Sequence, residues 1–69
     1  MSVYENVEDK GEISAPWGKR IEIQELTYEE GVKHLRLRIR EGRRITDLEL
    51  APDTAIQLAA ALENWAEKN

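Results

Sequence analysis

Cysteine is missing from this chain of 69 residues. Its absence removes any disulfide framework and any thiolate metal site, and it suits a reducing cytoplasm. Long apolar runs are missing too. No stretch approaches the roughly 18 apolar residues of a membrane-spanning helix. Residues 1–15 hold no cationic start followed by an apolar stretch, so neither a secretory signal nor a membrane partner is expected. Histidine occurs once, at His34. One imidazole without thiols makes no ligand set, so no metal and no cofactor is expected. There is no nucleophile set, no Gly-rich phosphate loop and no HExxH-type motif, and no spacing marks a carboxylate pair around a reaction centre. The sequence therefore reads as non-enzymatic.

What is present is charge, unevenly placed. The net charge is −4. Residues 1–30 carry eight acids and three bases, residues 31–50 three acids and six bases, and residues 51–69 three acids and one base. Overall acidity disfavours a nucleic-acid partner, while the basic middle segment keeps that reading open.

The basic segment has a strict two-residue period. In KHLRLRIREG, Leu35, Leu37 and Ile39 share one parity, and His34, Arg36, Arg38 and Arg40 share the other. Such alternation predicts a half-buried strand. KRIEIQELTY precedes it and RITDLEL follows, with turn chemistry at APWG, EEG and EGR. Both flanking runs slip parity by one residue. A β-bulge repairs such a slip, and bulges are predicted near Gln24–Glu25 and Thr46–Asp47. That register sets Leu37 against Ile23 and Leu48, and Leu35 against Leu26 and Leu50. It also sets Ile39 against Ile45.

APDTAIQLAAALENWAEK reads as the helix. Pro52 suits the first helical position and Asp53 the positive end of the dipole. Ala55, Leu58, Ala59, Leu62, Trp65 and Ala66 form one apolar face at helical spacing. The expected fold is α+β: a three-stranded antiparallel meander followed by one C-terminal helix packed across it. Residues 15–69 form this single domain, and residues 1–14, acidic and without period, read as a disordered or loosely attached tail.

Two candidate surfaces emerge. Lys33, Arg36, Arg38, Arg40, Arg43 and Arg44 make a candidate anion or nucleic-acid face. Against it stand Glu22, Gln24 or Glu25, and Asp47 or Glu49, which the register sets beside the arginines. A mesh of cross-strand pairs is the favoured reading of the row. The aromatic platforms that single-strand binders add are also missing from it. Trp17, Ile56, Ala60 and Trp65 make a candidate interface. Trp65 belongs to the helix's apolar series, whereas Trp17, just before a strand, reads equally as a cover for the core's open end or as a partner's anchor. A three-stranded sheet and one helix bury about fifteen apolar side chains, a core that rarely supplies more than about 3–5 kcal/mol without staples. A homodimer, or another protein as partner, is the expected remedy.

APWGKRIEIQEL followed by LRLRIREGRRIT resembles a set of short uncharacterised bacterial proteins, over residues 15–66, and implies no known activity. The strand order, with LELAPDTAIQLAAAL joining the last strand to the helix, resembles the transcriptional-coactivator single-strand-binding fold in its curved antiparallel sheet and C-terminal dimerising helix. The sequence departs from that pattern by one strand fewer, by acids among its arginines and by its lack of strand aromatics. DNA binding does not transfer on a likeness of fold.

Overall fold

A computed structural model describes residues 4–69, with side chains from residue 6 onward. Four strands run in chain order as an antiparallel meander: β1 (Tyr4–Ala15), β2 (Lys19–Tyr28), β3 (Lys33–Glu41) and β4 (Arg44–Leu50). One helix, α1 (Pro52–Glu67), follows. The class is α+β as expected, but the sheet has one strand more.

The extra strand overturns the tail reading for residues 4–14; residues 1–3 lie outside the described residues. β1 pairs with β2 from Tyr4 opposite Tyr28 to Ala15 opposite Lys19. Its period was hidden by its own irregularities. The register shifts between Tyr4 and Asn6 and again between Asp9 and Gly11. Val7 therefore falls opposite Leu26 and Ile13 opposite Ile21, on opposite faces of the sheet although both are odd-numbered. At the second bulge Gly11 has φ +142°, a region that side chains rarely enter, and its N–H donates to Asp9 Oδ1 at 3.1 Å.

The bulges predicted in β2 and β4 do not form. β3 pairs without a shift on both sides, from Arg20 opposite Arg40 to Thr27 opposite Lys33, and from Leu35 opposite Leu50 to Glu41 opposite Arg44. Leu37 does oppose Ile23 and Leu48, and Leu35 does oppose Leu50. Leu35, however, faces Glu25 rather than Leu26, and Ile39 faces Thr46 rather than Ile45. Leu26 consequently shares the arginine face, flanked by Val7 and His34, and is fully buried there. With β1 beside it, Leu26 needs no bulge to leave water. Ile45 stays exposed opposite Arg40, which a single apolar residue on an edge strand tolerates.

The turns lie where the sequence placed them. Trp17 (φ 61°, ψ 37°) and Gly18 (φ 73°) are both left-handed, and Lys19 N–H returns to the Pro16 carbonyl. This is the primed turn that matches the twist of a hairpin. Glu30 and Gly31 repeat the pair of positive φ values between β2 and β3, and Gly42 (φ 62°) serves the β3–β4 turn.

The helix starts as predicted, with Pro52 in the first turn and the Ala55 N–H bonded to the Ala51 carbonyl. It does not lie across the sheet. Pro52 and Ala55 sit against Leu35 and Lys33, and α1 touches β3 and β4. Ala55 and Leu58 are half-buried, but every residue from Ala59 onward is exposed. Trp65, expected in the core, is 68% exposed, and Leu62 is 60% exposed. The only buried apolar residues are Leu26 and Leu50, at 0% and 6% exposure, among those described.

Candidate interaction surfaces

Alternation divides the sheet into two chemically different faces. On one, the β3 side chains are His34, Arg36, Arg38 and Arg40, and their neighbours on β2 and β4 include Glu22, Gln24, Asp47 and Glu49. The arginines are tethered sideways. Arg38 grips Asp47 with two bonds, Nε to Oδ1 at 2.8 Å and Nη2 to Oδ2 at 3.0 Å. Arg40 Nε donates to Glu22 Oε2 at 2.6 Å, and Arg36 Nε to Gln24 Oε1 at 2.7 Å. The fork of Arg38 matches the carboxylate plane, the geometry in which arginine pairs are strongest. Its guanidinium holds the Asp47 carboxyl below its ordinary range.

At the end of this face nearest the helix, Glu49 joins two partners. Its Oε2 accepts from the Tyr28 hydroxyl at 2.5 Å and lies 2.8 Å from His34 Nδ1. The Tyr28 bond and then the His34 bond lower the Glu49 pKa. The Tyr28 and His34 rings meet edge-on, with centroids 5.3 Å apart. His34 is thus tied into a strand-to-strand network. Among the described residues no group of three or more His, Asp or Glu is placed to hold a metal ion.

The candidate anion residues are only partly brought together. Arg36, Arg38 and Arg40 share the face and its acids. Lys33 lies on the opposite face, 3.1 Å from Glu25 Oε1, by the parity that aligns it with Thr27. Arg44 is on the Lys33 face opposite Glu41, and Arg43 is in the turn. Among the described residues, neither Arg43 nor Arg44 makes an ion pair within 4.0 Å, whereas Arg38 and Arg40 do. The face is a checkerboard of cations and acids.

The other face is apolar at its centre. Ile21 and Ile23 of β2 lie beside Leu37 and Ile39 of β3, with Ile13 on β1 and Leu48 on β4 at the flanks. Ile13 and Leu48 are exposed and the central four are half-exposed. Ion pairs fringe the patch: Lys19 with Glu41 at 2.8 Å, and Glu25 between Lys10 and Lys33. A cleft of about 210 Å³ opens where the helix leaves the sheet, lined by Glu25, Lys33, His34, Leu35, Pro52 and Ala55. It is smaller than the roughly 300–1,000 Å³ of small-molecule sites.

All four candidate interface residues are exposed. Trp17 is 91% exposed and Ile56 71%, with Trp65 and Ala60 also outside. Trp17 covers no part of the core, which removes one of its two readings: the primed turn points it away from the sheet. The sequence missed the sheet residues themselves, because a helix was expected to cover Ile21, Ile23, Leu37 and Ile39. Their signal was present in the alternation, but alternation does not say what lies above the apolar face.

A family model matches residues 4–68 and is described as a family of unknown function, DUF6967. The chain belongs to this family. The match begins with β1 and runs to the end of α1, so the DUF6967 unit is the four strands plus the helix. No curated protein and no solved structure matches.

Proposed function

We propose that this DUF6967 chain is a non-enzymatic protein–protein interaction domain of the bacterial cytoplasm that works as a homodimer. The observation that carries the reading is the surface left open by one chain. Its accessible surface is 5630 Å². A folded monomer of its 8.0 kDa mass is expected to expose about 4,450 Å². The surplus of roughly 1,200 Å² exceeds the ~800 Å² that each partner buries in a standard interface. The radius of gyration tells the same story. It is 13.5 Å, against about 11 Å for a compact domain of this length. Much of the patch is aliphatic, and apolar area of this kind is stabilised by burial at about 25 cal/mol per Å². Sedimentation equilibrium at micromolar concentration tests the proposal. The expected mass is twice that of the chain; a mass of one chain throughout that range rejects it.

A second reading is a nucleic-acid-binding module, favoured by the absence of ion pairs at Arg43 and Arg44 among the described residues. Against it, the acids between the other arginines repel phosphate. Fluorescence anisotropy with labelled single-stranded DNA and RNA at about 50 and 200 mM salt separates the two, since phosphate binding weakens steeply as salt rises. No binding at the lower salt is expected. Tight binding there that collapses at the higher salt would put this reading first.

A further inference from the structure

The helix carries one apolar stripe along its length, yet the stripe is used only at its start. Ala55, Leu58, Leu62 and Trp65 follow one another at three and four residues and so share one side of α1. Ala55 and Leu58 are half-buried at the edge of the sheet, while Leu62 and Trp65, one and two turns further on, stand in solvent. The helix is about 24 Å long at 1.5 Å per residue, so its second half is a ~12 Å apolar stripe without a surface beneath it. The sheet of the same chain has the converse defect: an apolar face around Ile21, Ile23, Leu37 and Ile39 without a layer above it. A helix laid on a sheet face is the usual way to close such a layer.

Resting on the homodimer reading, we infer that the Leu62–Trp65 half of each helix lies on the apolar sheet face of the second copy, over Ile23 and Leu37. Three observations select a second copy as the occupant. Each chain exposes both halves of one helix-on-sheet layer, so the surface is self-complementary. A two-fold operation satisfies both halves at once, since residue i meets j wherever j meets i. The surplus area per chain is about half as large again as the ~800 Å² that each partner of a standard interface buries. The ion pairs that fringe the patch, Lys19–Glu41 and Lys33–Glu25, are complete within one chain. They leave an apolar centre with a polar rim, the anatomy of an interface.

The cysteine-free sequence makes the test clean, because any introduced thiol is unique. Two full-length single-cysteine proteins, Leu62→Cys and Leu37→Cys, are distinguished by a mass tag, unfolded together, refolded and treated with a short bismaleimide. Mass spectrometry then reads which chains are joined. The expected product is the mixed species linking position 62 of one chain to position 37 of the other, several-fold above either self-linked species. A dimer by sedimentation that yields only 62–62 links would overturn the inference and leave the homodimer standing, because the helices would then pack on each other. A monomer by sedimentation removes both. A second readout spares the sheet and helix residues: in Trp17→Tyr, Trp65 is the sole tryptophan. Its acrylamide quenching is expected to rise several-fold when the dimer is diluted to monomer. Quenching that is already complete in the dimer contradicts the placement.

Discussion

Arg38 and Asp47 show what the charged face does at the scale of single residues. Their two-bond contact spans β3 and β4, but both side chains are partly wet, at 26% and 39% exposure. Such pairs are worth about 0.2–1 kcal/mol, so a double-mutant cycle of Arg38→Ala and Asp47→Ala should give a coupling of about that size in urea unfolding. The pair therefore ties β3 to β4 in register more than it adds stability. The pH signature of the face follows from the direction of the shifts. Asp47 is lowered chiefly by the Arg38 bond, and Glu49 by the Tyr28 bond and then by His34. A lowered carboxylate stabilises the fold in full above its ordinary pKa, and that stabilisation is lost as pH falls through the folded value. The urea midpoint should therefore carry the full contribution of these groups, with no pH dependence from them, above about pH 5, and should decline below about pH 4.5. Asp47→Asn should be less stable at neutral pH and show a shallower acid decline; an unchanged acid limb would dissociate Asp47 from it. Leu26 sits at the other extreme. It is fully buried in a chain with only one other buried apolar residue among those described. Leu26→Ala should cost about 2–5 kcal/mol, enough to leave the protein largely unfolded at 37 °C by circular dichroism.

At the scale of elements, the decisive feature is that β1 follows the rules of a strand only after two interruptions. The bulge around Lys10 moves every residue beyond it to the other face, so Val7 supports Leu26 while Ile13 supports Ile21. Gly11, at φ +142°, holds that bulge open. Gly11→Ala should destabilise the sheet by about 1–2 kcal/mol in urea unfolding, because a side chain is strained in that region whatever space surrounds it. The same feature explains what could be read from sequence. Leu35, Leu37 and Ile39 alternate without a fault, so β3, its neighbours and the ion-paired row were legible. β1 was not, since a broken period in an acidic segment looks like disorder. Missing β1 then made Leu26 look out of place and called for a bulge in β2 that the structure does not contain. The helix was legible as an element, from Pro52 and the Ala55–Leu58–Leu62–Trp65 spacing. Its direction was not, because an amphipathic stripe specifies that an apolar surface is needed and not which chain supplies it.

The whole molecule is a sheet with one finished face, one open face and a helix that leaves it after two turns. Its extents of 41 × 30 × 16 Å describe a flat plate. Among the described residues only Leu26 and Leu50 are buried apolar side chains, a small core for a fold of this length, since a small single core supplies only about 3–5 kcal/mol. If the protein is the homodimer proposed above, association is part of folding, because a second copy would supply the layer over the apolar face. Thermal unfolding followed by circular dichroism over a hundredfold range of chain concentration tests this most directly, since a folded state that is a dimer melts higher when more concentrated. The predicted result is a midpoint that rises by several degrees from about 1 to about 100 µM chain. A midpoint independent of concentration across that range would show that one chain folds alone, and would contradict the account.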